Sequence, residues 1–164
     1  MYATVVAALA MVGATGPAAE RKEAPVAMAT IKRLMESCPW PDPTSSDKTI
    51  AARRARLEAL VLFIEKFQDA REIRVQFKNK ELLSFVQVLR DMVDEGVDLA
   101  PLPEEALCWQ RAGLDLAKEH YRWVHIQVRN GTYPVASLDQ AAVHLKLFQA
   151  QYREALARCL LLSK

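Results

Sequence analysis

The stretch SLDQAAVHLKLFQAQYREALARC, residues 137–159, decides the fold class of this chain. Its apolar residues recur every three or four positions, which is the period of an amphipathic α-helix and not of an alternating β-strand. The stripe consists of Leu138, Ala141, Leu145, Phe148, Tyr152, Leu156 and Cys159. Because Ser137 and Gln140 have the spacing of a capping box, this helix is expected to begin there.

Two more helices are predicted upstream of this one. One covers 104–129, because Pro103 suits the opening position of a helix and Gly131 is typical of the residue just beyond its end. The other begins at Asn79 and carries an unbroken apolar stripe up to Gly96, where a left-handed glycine is expected to end it. Both stripes are expected to pack against neighbouring helices.

Two short stretches fit a β-strand as well as a helix. REIRVQFKNK, residues 71–80, alternates apolar and polar side chains, and VHIQV, residues 124–128, alternates just before an Asn-Gly hairpin dipeptide. We favour helix in both places, and in the first because the flanking composition is helical. The first stretch then becomes the end of one long helix over 48–79, whose apolar face turns into a basic face near Gln68.

The N-terminal part of the chain has a different character. Residues 1–24 are interpreted as an apolar arm or linker, and 25–164 as a single helical domain. The apolar run in the arm is too short to span a bilayer, and no lysine or arginine precedes it. We therefore favour an arm that packs on the fold or on a partner over a membrane contact, and a membrane contact over a signal peptide. Pro25 can open a helix, and the proline-rich connector after that helix contains Trp40, which is expected to pack on the core.

Composition supports the same fold class. The chain has 164 residues, of which five are glycine, and it is rich in alanine, leucine, arginine and glutamate. Such a composition favours helices, and the length favours one domain with its own core. The predicted fold is all-α, an antiparallel helical bundle of four to five helices, with one or two short strands left open around 73–77 and 124–128.

Charge is segregated along the sequence. The net charge of +2 excludes a strong overall field for nucleic acid or for an acidic membrane. However, residues 51–80 carry a net charge of +4, 81–110 carry −6, and 111–164 carry +4. We interpret this pattern as neighbouring elements that complement each other inside the fold, and a basic face for an acidic partner is the alternative.

The three cysteines give no motif. Cys38, Cys108 and Cys159 are far apart, odd in number and without CxxC spacing. All three have apolar neighbours, which is typical of buried free thiols. We therefore expect the cytoplasm or another reducing compartment, and we do not expect secretion.

No catalytic, metal-binding or cofactor-binding pattern stands out in the sequence. It contains no HExxH, no GxSxG and no glycine-rich phosphate loop. His120 and His125 are separated by about 140° around a helix, so they do not share a face, and His120 is expected to be a hydrogen-bonded core residue. Asp115 and Glu119 have the spacing of an exposed ladder of ion pairs. We therefore expect no enzyme activity, no metal and no cofactor.

The first functional hypothesis is a non-enzymatic helical interaction protein, an accessory or structural subunit of a larger assembly. The helix around residues 63–77 and the C-terminal triple leucine offer more apolar surface than one bundle seam requires. A protein partner or a second copy of the chain is expected to cover this surface. The predicted contact residues are Phe63, Phe67, Phe77 and Leu161.

The alternative hypothesis is a small nucleic-acid-binding or regulatory protein that uses a basic helix face within 53–80. Arginine beside aromatic rings can clamp phosphate and stack on bases, although no helix-turn-helix, zinc finger or RNP-type pattern accompanies it here. Acidic side chains between the basic ones weaken the field of this face. The residues of this candidate site are Arg53, Arg54, Arg71, Arg74 and Lys78.

Overall fold

The computed structural model describes residues 38–40, 47–72 and 77–162. Its four helices are α1 (Lys48–Glu72), α2 (Asn79–Leu99), α3 (Pro103–Arg129) and α4 (Val135–Leu162). No strand occurs within these described ranges, so the prediction of an all-α bundle is confirmed, with four helices. The predicted arm at 1–24 and the predicted helix that opens at Pro25 lie outside the described residues.

Each helix packs on the next one along the chain, and neighbouring helices run antiparallel. Arg53 near the start of α1 contacts Asp98 near the end of α2, whereas Phe67 late in α1 stacks on Phe85 early in α2. The same reversal relates α3 and α4, because the two helices pack along each other and are joined by a tight turn at Gly131. α4 therefore forms one edge of the row of helices, with α3 as its main neighbour.

Two glycines allow the central helices to approach closely. A Cβ atom on Gly96 would overlap the ring of Trp109, and one on Gly113 would overlap Val93 and press on Phe148. The prediction that Gly96 ends its helix is wrong, because α2 continues past it to its end in the next turn. Glycine is required at position 96 for the space that the Trp109 ring occupies and not for a turn.

The beginnings and ends of the helices follow local chemistry. Asp47 caps α1, since its Oδ1 accepts the backbone N–H of Thr49 at 2.7 Å. Pro103 opens α3, and Gly131 follows its end with a left-handed φ of 74°, again as predicted.

Two expectations about the second half of the chain are corrected. The alternative strand at 124–128 is wrong, because these residues lie inside α3. α4 begins at Val135, two residues before the predicted start, and Ser137 is buried within its first turn with its N–H bonded to the carbonyl of Pro134 at 3.0 Å.

The predicted long helix over 48–79 is also wrong at its C-terminal end. α1 ends at Glu72, and Phe77 lies outside any helix. The backbone N–H of Phe77 donates to the hydroxyl of Tyr133 at 2.7 Å, a partner that lies 56 positions away and that local periodicity does not reveal. Apart from Phe77, the alternative strand at 73–77 lies outside the described residues.

A disulfide joins the connector to α3. Cys38 is bonded to Cys108 with a Cα–Cα distance of 5.5 Å, so the prediction of three free thiols is wrong for this pair, while Cys159 is a buried residue outside this disulfide. A disulfide forms in oxidising surroundings, so it also speaks against the predicted reducing compartment. Trp40 packs edge-on against Trp109 at a centroid distance of 5.6 Å, which confirms that the connector is pinned to the core.

Removal of this disulfide is expected to destabilise the fold. It joins residues 70 positions apart, and cross-links of that span typically contribute about 2–5 kcal/mol. Chemical denaturation with and without dithiothreitol should show this loss in the wild-type chain and in a Cys159→Ala control, but not in Cys38→Ser/Cys108→Ser. Equal unfolding free energies of the wild-type chain with and without reductant would contradict the prediction.

Candidate interaction surface

The guanidinium of Arg71 lies inside a cluster of aromatic rings at the end of α1. Its Cζ is 4.9 Å from the ring centroid of Phe67, 5.0 Å from that of Phe85 and 4.5 Å from that of Trp123. The three rings belong to α1, α2 and α3, so one cation contacts three helices at once. Cation–π attraction of this kind contributes about 0.5–2 kcal/mol for each well-placed ring.

His120 on α3 completes the surroundings of Arg71. A guanidinium can only donate hydrogen bonds, so in the contact between Arg71 Nη2 and His120 Nδ1 the imidazole nitrogen must be the acceptor. Burial lowers the pKa of Arg71 to about 9, although the nearby charge of Glu119 acts in the opposite direction. Burial, followed by the charges of Arg71 and His144, lowers the pKa of His120 well below its usual value. His120 is therefore a neutral, hydrogen-bonded core residue, as predicted.

Further rings extend the cluster to the turn after α3. The ring of Phe77 stacks on Phe67 at 4.2 Å, and Trp123 lies against Tyr133 at 5.5 Å. Burial raises the pKa of the Tyr133 hydroxyl, which accepts the Phe77 N–H described above. We call this set the arginine cluster; its members are Phe67, Arg71, Phe77, Phe85, His120, Trp123 and Tyr133.

The predicted partner-binding residues separate into two places. Phe63 is half-buried and stacks against Phe67 at 6.4 Å, and Phe67 and Phe77 are both buried in the arginine cluster. Leu161 is distant from them in the last turn of α4 and is 72% exposed. The structure therefore brings the three phenylalanines together inside the fold, and Leu161 remains on the surface.

The predicted nucleic-acid residues do not form one face. Arg53 is bound to Glu95 at 2.6 Å and to Asp98 at 2.8 Å, whereas Arg54 is bound to Glu58 at 2.9 Å. Arg56 also reaches Glu95, at 3.0 Å. The contacts of Arg53 and Arg56 with Glu95 and Asp98 confirm the prediction that the basic segment 51–80 pairs with the acidic segment 81–110. Of the other predicted residues, Arg71 is enclosed in the arginine cluster, Arg74 lies outside the described residues, and Lys78 is exposed just before α2.

One side of α4 carries exposed apolar side chains. Its buried residues, Ser137, Ala141, Phe148 and Cys159, share one side. On the other side Val143 is 65% exposed, and a row of eight positions continues from it in both directions. We call this row the outer stripe; it consists of Ala136, Gln140, Val143, Leu147, Ala150, Glu154, Ala157 and Leu161.

Sequence reasoning identified only Leu161 of the outer stripe. The remaining signal was present in the same stretch, as a second apolar row on the side of the helix opposite to the predicted core stripe. Alanine carries much of this row and gives a weak hydrophobic signal, so the row stands out only when exposure is known.

Metal and membrane features are absent from the part of the chain that the structure describes. Within 38–40, 47–72 and 77–162, no three His, Cys, Asp or Glu side chains are arranged to hold a metal ion. None of the four helices is long and apolar enough to cross a membrane. Asp115 forms an ion pair with Lys118 at 2.9 Å, as expected for an exposed ladder.

The arginine cluster predicts a specific pH dependence of stability. A neutral His120 in the folded state takes up no proton just below pH 6.5, whereas the unfolded chain does, so the free energy of unfolding falls as the pH drops below about 6.5. One such histidine contributes up to about 1.4 kcal/mol per pH unit, and His144 acts in the same direction. His120→Asn keeps a hydrogen-bond acceptor at the Nδ1 position. The free energy of unfolding of this variant, measured by urea denaturation between pH 5 and 7, should depend less steeply on pH than that of the wild-type chain. A profile as steep as that of the wild-type chain would refute this role.

The buried carboxylate of Glu95 predicts a second stability effect. Glu95 is only 5% exposed and binds both Arg53 and Arg56, so Glu95→Gln should lower the free energy of unfolding by about 1–3 kcal/mol. The matched control is Glu58→Gln, which removes an exposed pair on α1 and should cost less than about 1 kcal/mol. If the two variants lost equal amounts of unfolding free energy in thermal denaturation, burial of Glu95 would contribute nothing to stability.

No protein-family model, no curated protein and no solved structure matches the chain. The function has to be inferred from the geometry of its own residues.

Proposed function

We propose that the protein is a non-enzymatic helical interaction protein, an accessory or structural subunit of a larger assembly, and that its partner packs on the outer stripe of α4. The observation that carries this proposal is the exposure of Val143 and Leu161 on the side of α4 opposite to its buried residues. A surface helix normally carries polar residues on that side. An apolar row there is typical of a surface that becomes buried by a second protein.

The energetics of such a contact are reasonable for association. Full burial of a valine or leucine side chain contributes about 1.5–3 kcal/mol, and Val143, Leu147 and Leu161 are the large members of the stripe. The flanks of the stripe carry charged residues, which set orientation and specificity more than affinity. The contact is therefore expected to be a helix lying along α4 with a polar rim.

The positions of the phenylalanines move the proposed contact from α1 to α4. Phe67 and Phe77 are buried in the arginine cluster, so a partner could reach them only after the cluster opened. Leu161 keeps its proposed role, now together with Val143 and Leu147. Membrane contact by the arm at 1–24 stays a prediction, because those residues lie outside the described ranges.

The nucleic-acid alternative needs more rearrangement. Arg53 and Arg54 would have to leave their carboxylate partners before they could bind phosphate, and Arg71 would have to leave its rings. Lys78 is exposed and could contribute directly. Binding of this kind would weaken steeply as salt is raised, which separates it from apolar association.

The test compares assembly of the wild-type chain with that of Val143→Glu. A buried glutamate in the contact should reduce recovery of specifically co-purifying protein, or self-association, by about tenfold or more. Leu62→Glu is the matched control, because Leu62 is 53% exposed on α1, away from the stripe. Size-exclusion chromatography with light scattering measures the assembly of the wild-type chain and the two variants at low and high salt. The absorbance of nucleic acid is recorded in the same runs.

Three outcomes would separate the hypotheses. Loss of assembly only in Val143→Glu, at both salt concentrations, supports the outer stripe. Identical assembly of all three chains contradicts it. Co-elution of nucleic acid at low salt alone, unaffected by Val143→Glu, favours the nucleic-acid alternative.

A further inference from the structure

We infer that the outer stripe from Ala136 to Glu154 is covered by a second copy of the same chain, with the two α4 helices antiparallel. This inference rests on the proposed function, since it names the occupant of the stripe. Three observations carry it: the spacing of the stripe, the charges on one of its flanks, and the side chains that meet when the two helices are placed in register.

The spacing of the stripe is that of a two-helix seam. Its positions, from 136 to 161, alternate steps of four and three residues without interruption. This is the heptad spacing by which one helix packs along another, and six of the eight positions are apolar, the exceptions being Gln140 and Glu154. A helix that meets a broad or irregular surface has no need of so regular a repeat.

The charges on one flank favour the antiparallel orientation. Asp139, Lys146 and Arg153 follow one another at intervals of seven residues beside the stripe, and all three are exposed. None of the three forms an ion pair with another described residue. In an antiparallel pair related by a two-fold axis, the same flanks of the two helices face each other. With the axis beside Lys146, Asp139 meets Arg153 of the second copy, and this pairing occurs twice.

A parallel pair would place unlike flanks together. Arg153 would then approach Arg158 of the second copy, a like charge that is already paired with Glu154 of its own helix at 2.5 Å, so no ion pair would form across the seam there. Lys146 would face Gln151 and gain no ion pair. The antiparallel orientation is therefore preferred on charge.

The same register brings large side chains together at its centre. Val143 meets Leu147 of the second copy in two equivalent layers, and the small side chain of Ala150 faces Gln140 on either side of them. The overlap covers about 28 Å of helix. Leu161 lies beyond the overlap, and Lys146 lies opposite its own copy at the axis. These features predict a concentration-dependent dimer of moderate affinity. Added salt should change this affinity little, because it screens the attractive and the repulsive charge pairs alike.

A charge exchange tests this register in the full chain. Asp139→Arg and Arg153→Asp each replace two attractive pairs by two repulsive ones, and each should weaken the dimer by about tenfold or more in sedimentation equilibrium. The double variant restores opposite charges and should return to within about threefold of the wild-type dissociation constant. All substituted positions are exposed, so circular dichroism melting should show the same fold in every variant.

Leu161→Glu separates this register from other uses of the stripe. It should leave the dimer unchanged, whereas Val143→Glu should abolish it. A wild-type chain that remains monomeric at every concentration, or a double variant that fails to recover, would overturn the antiparallel pairing. After either of these two results, a loss of co-purifying protein in Val143→Glu would still support the proposed function. A Val143→Glu variant that assembles like the wild-type chain would refute both the proposed function and the antiparallel pairing.

Discussion

The charge of Arg71 is the constraint on which one end of the bundle depends. A guanidinium at the end of α1 cannot be moved from water into the protein without compensation, because burial of an unpaired charge is costly. Here the compensation comes from three ring faces and one imidazole nitrogen, supplied by three different helices. The guanidinium Nε is shielded from solvent and has no hydrogen-bond partner among the residues that the structure describes. The cluster therefore works only if all the rings keep their places, which ties the end of α1 to α2 and α3.

The other end of the bundle is held by different chemistry. There the carboxylate of Glu95 binds two arginines of α1, and the Cys38–Cys108 bond fixes the connector on α3. Between the two ends, glycines on α2 and α3 let Trp109 and Phe148 reach the space between the helices. The first three helices are thus linked at both ends, and α4 is attached through one side only. This asymmetry leaves the opposite side of α4 exposed.

The sequence predicted what short-range patterns determine. The helical period, the proline start of α3 and the glycine after it depend on residues within a few positions of one another, and the structure agrees with all three. The errors concern contacts between distant residues. Arg71 falls on the apolar stripe of its helix, and the sequence predicts a basic surface there because two of the three rings that enclose its guanidinium come from α2 and α3. Likewise, Cys38 and Cys108 pair across 70 positions, and Gly96 is explained by a tryptophan on the next helix.

The outer stripe shows why one helix can carry two apolar rows without contradiction. The buried row of α4 drifts around the helix with a period near 3.6 residues, because it follows a neighbour inside the same fold. The outer row has a spacing of 3.5 residues, with apolar residues at six of its eight positions, and a straight helix maintains that spacing against a partner only by winding slightly around it. A bundle that needs α4 solely as a cover for α3 has no use for the second row. A helix outside the chain would bury that row, and in the proposed antiparallel pair Asp139 and Arg153 on its flank would meet each other twice.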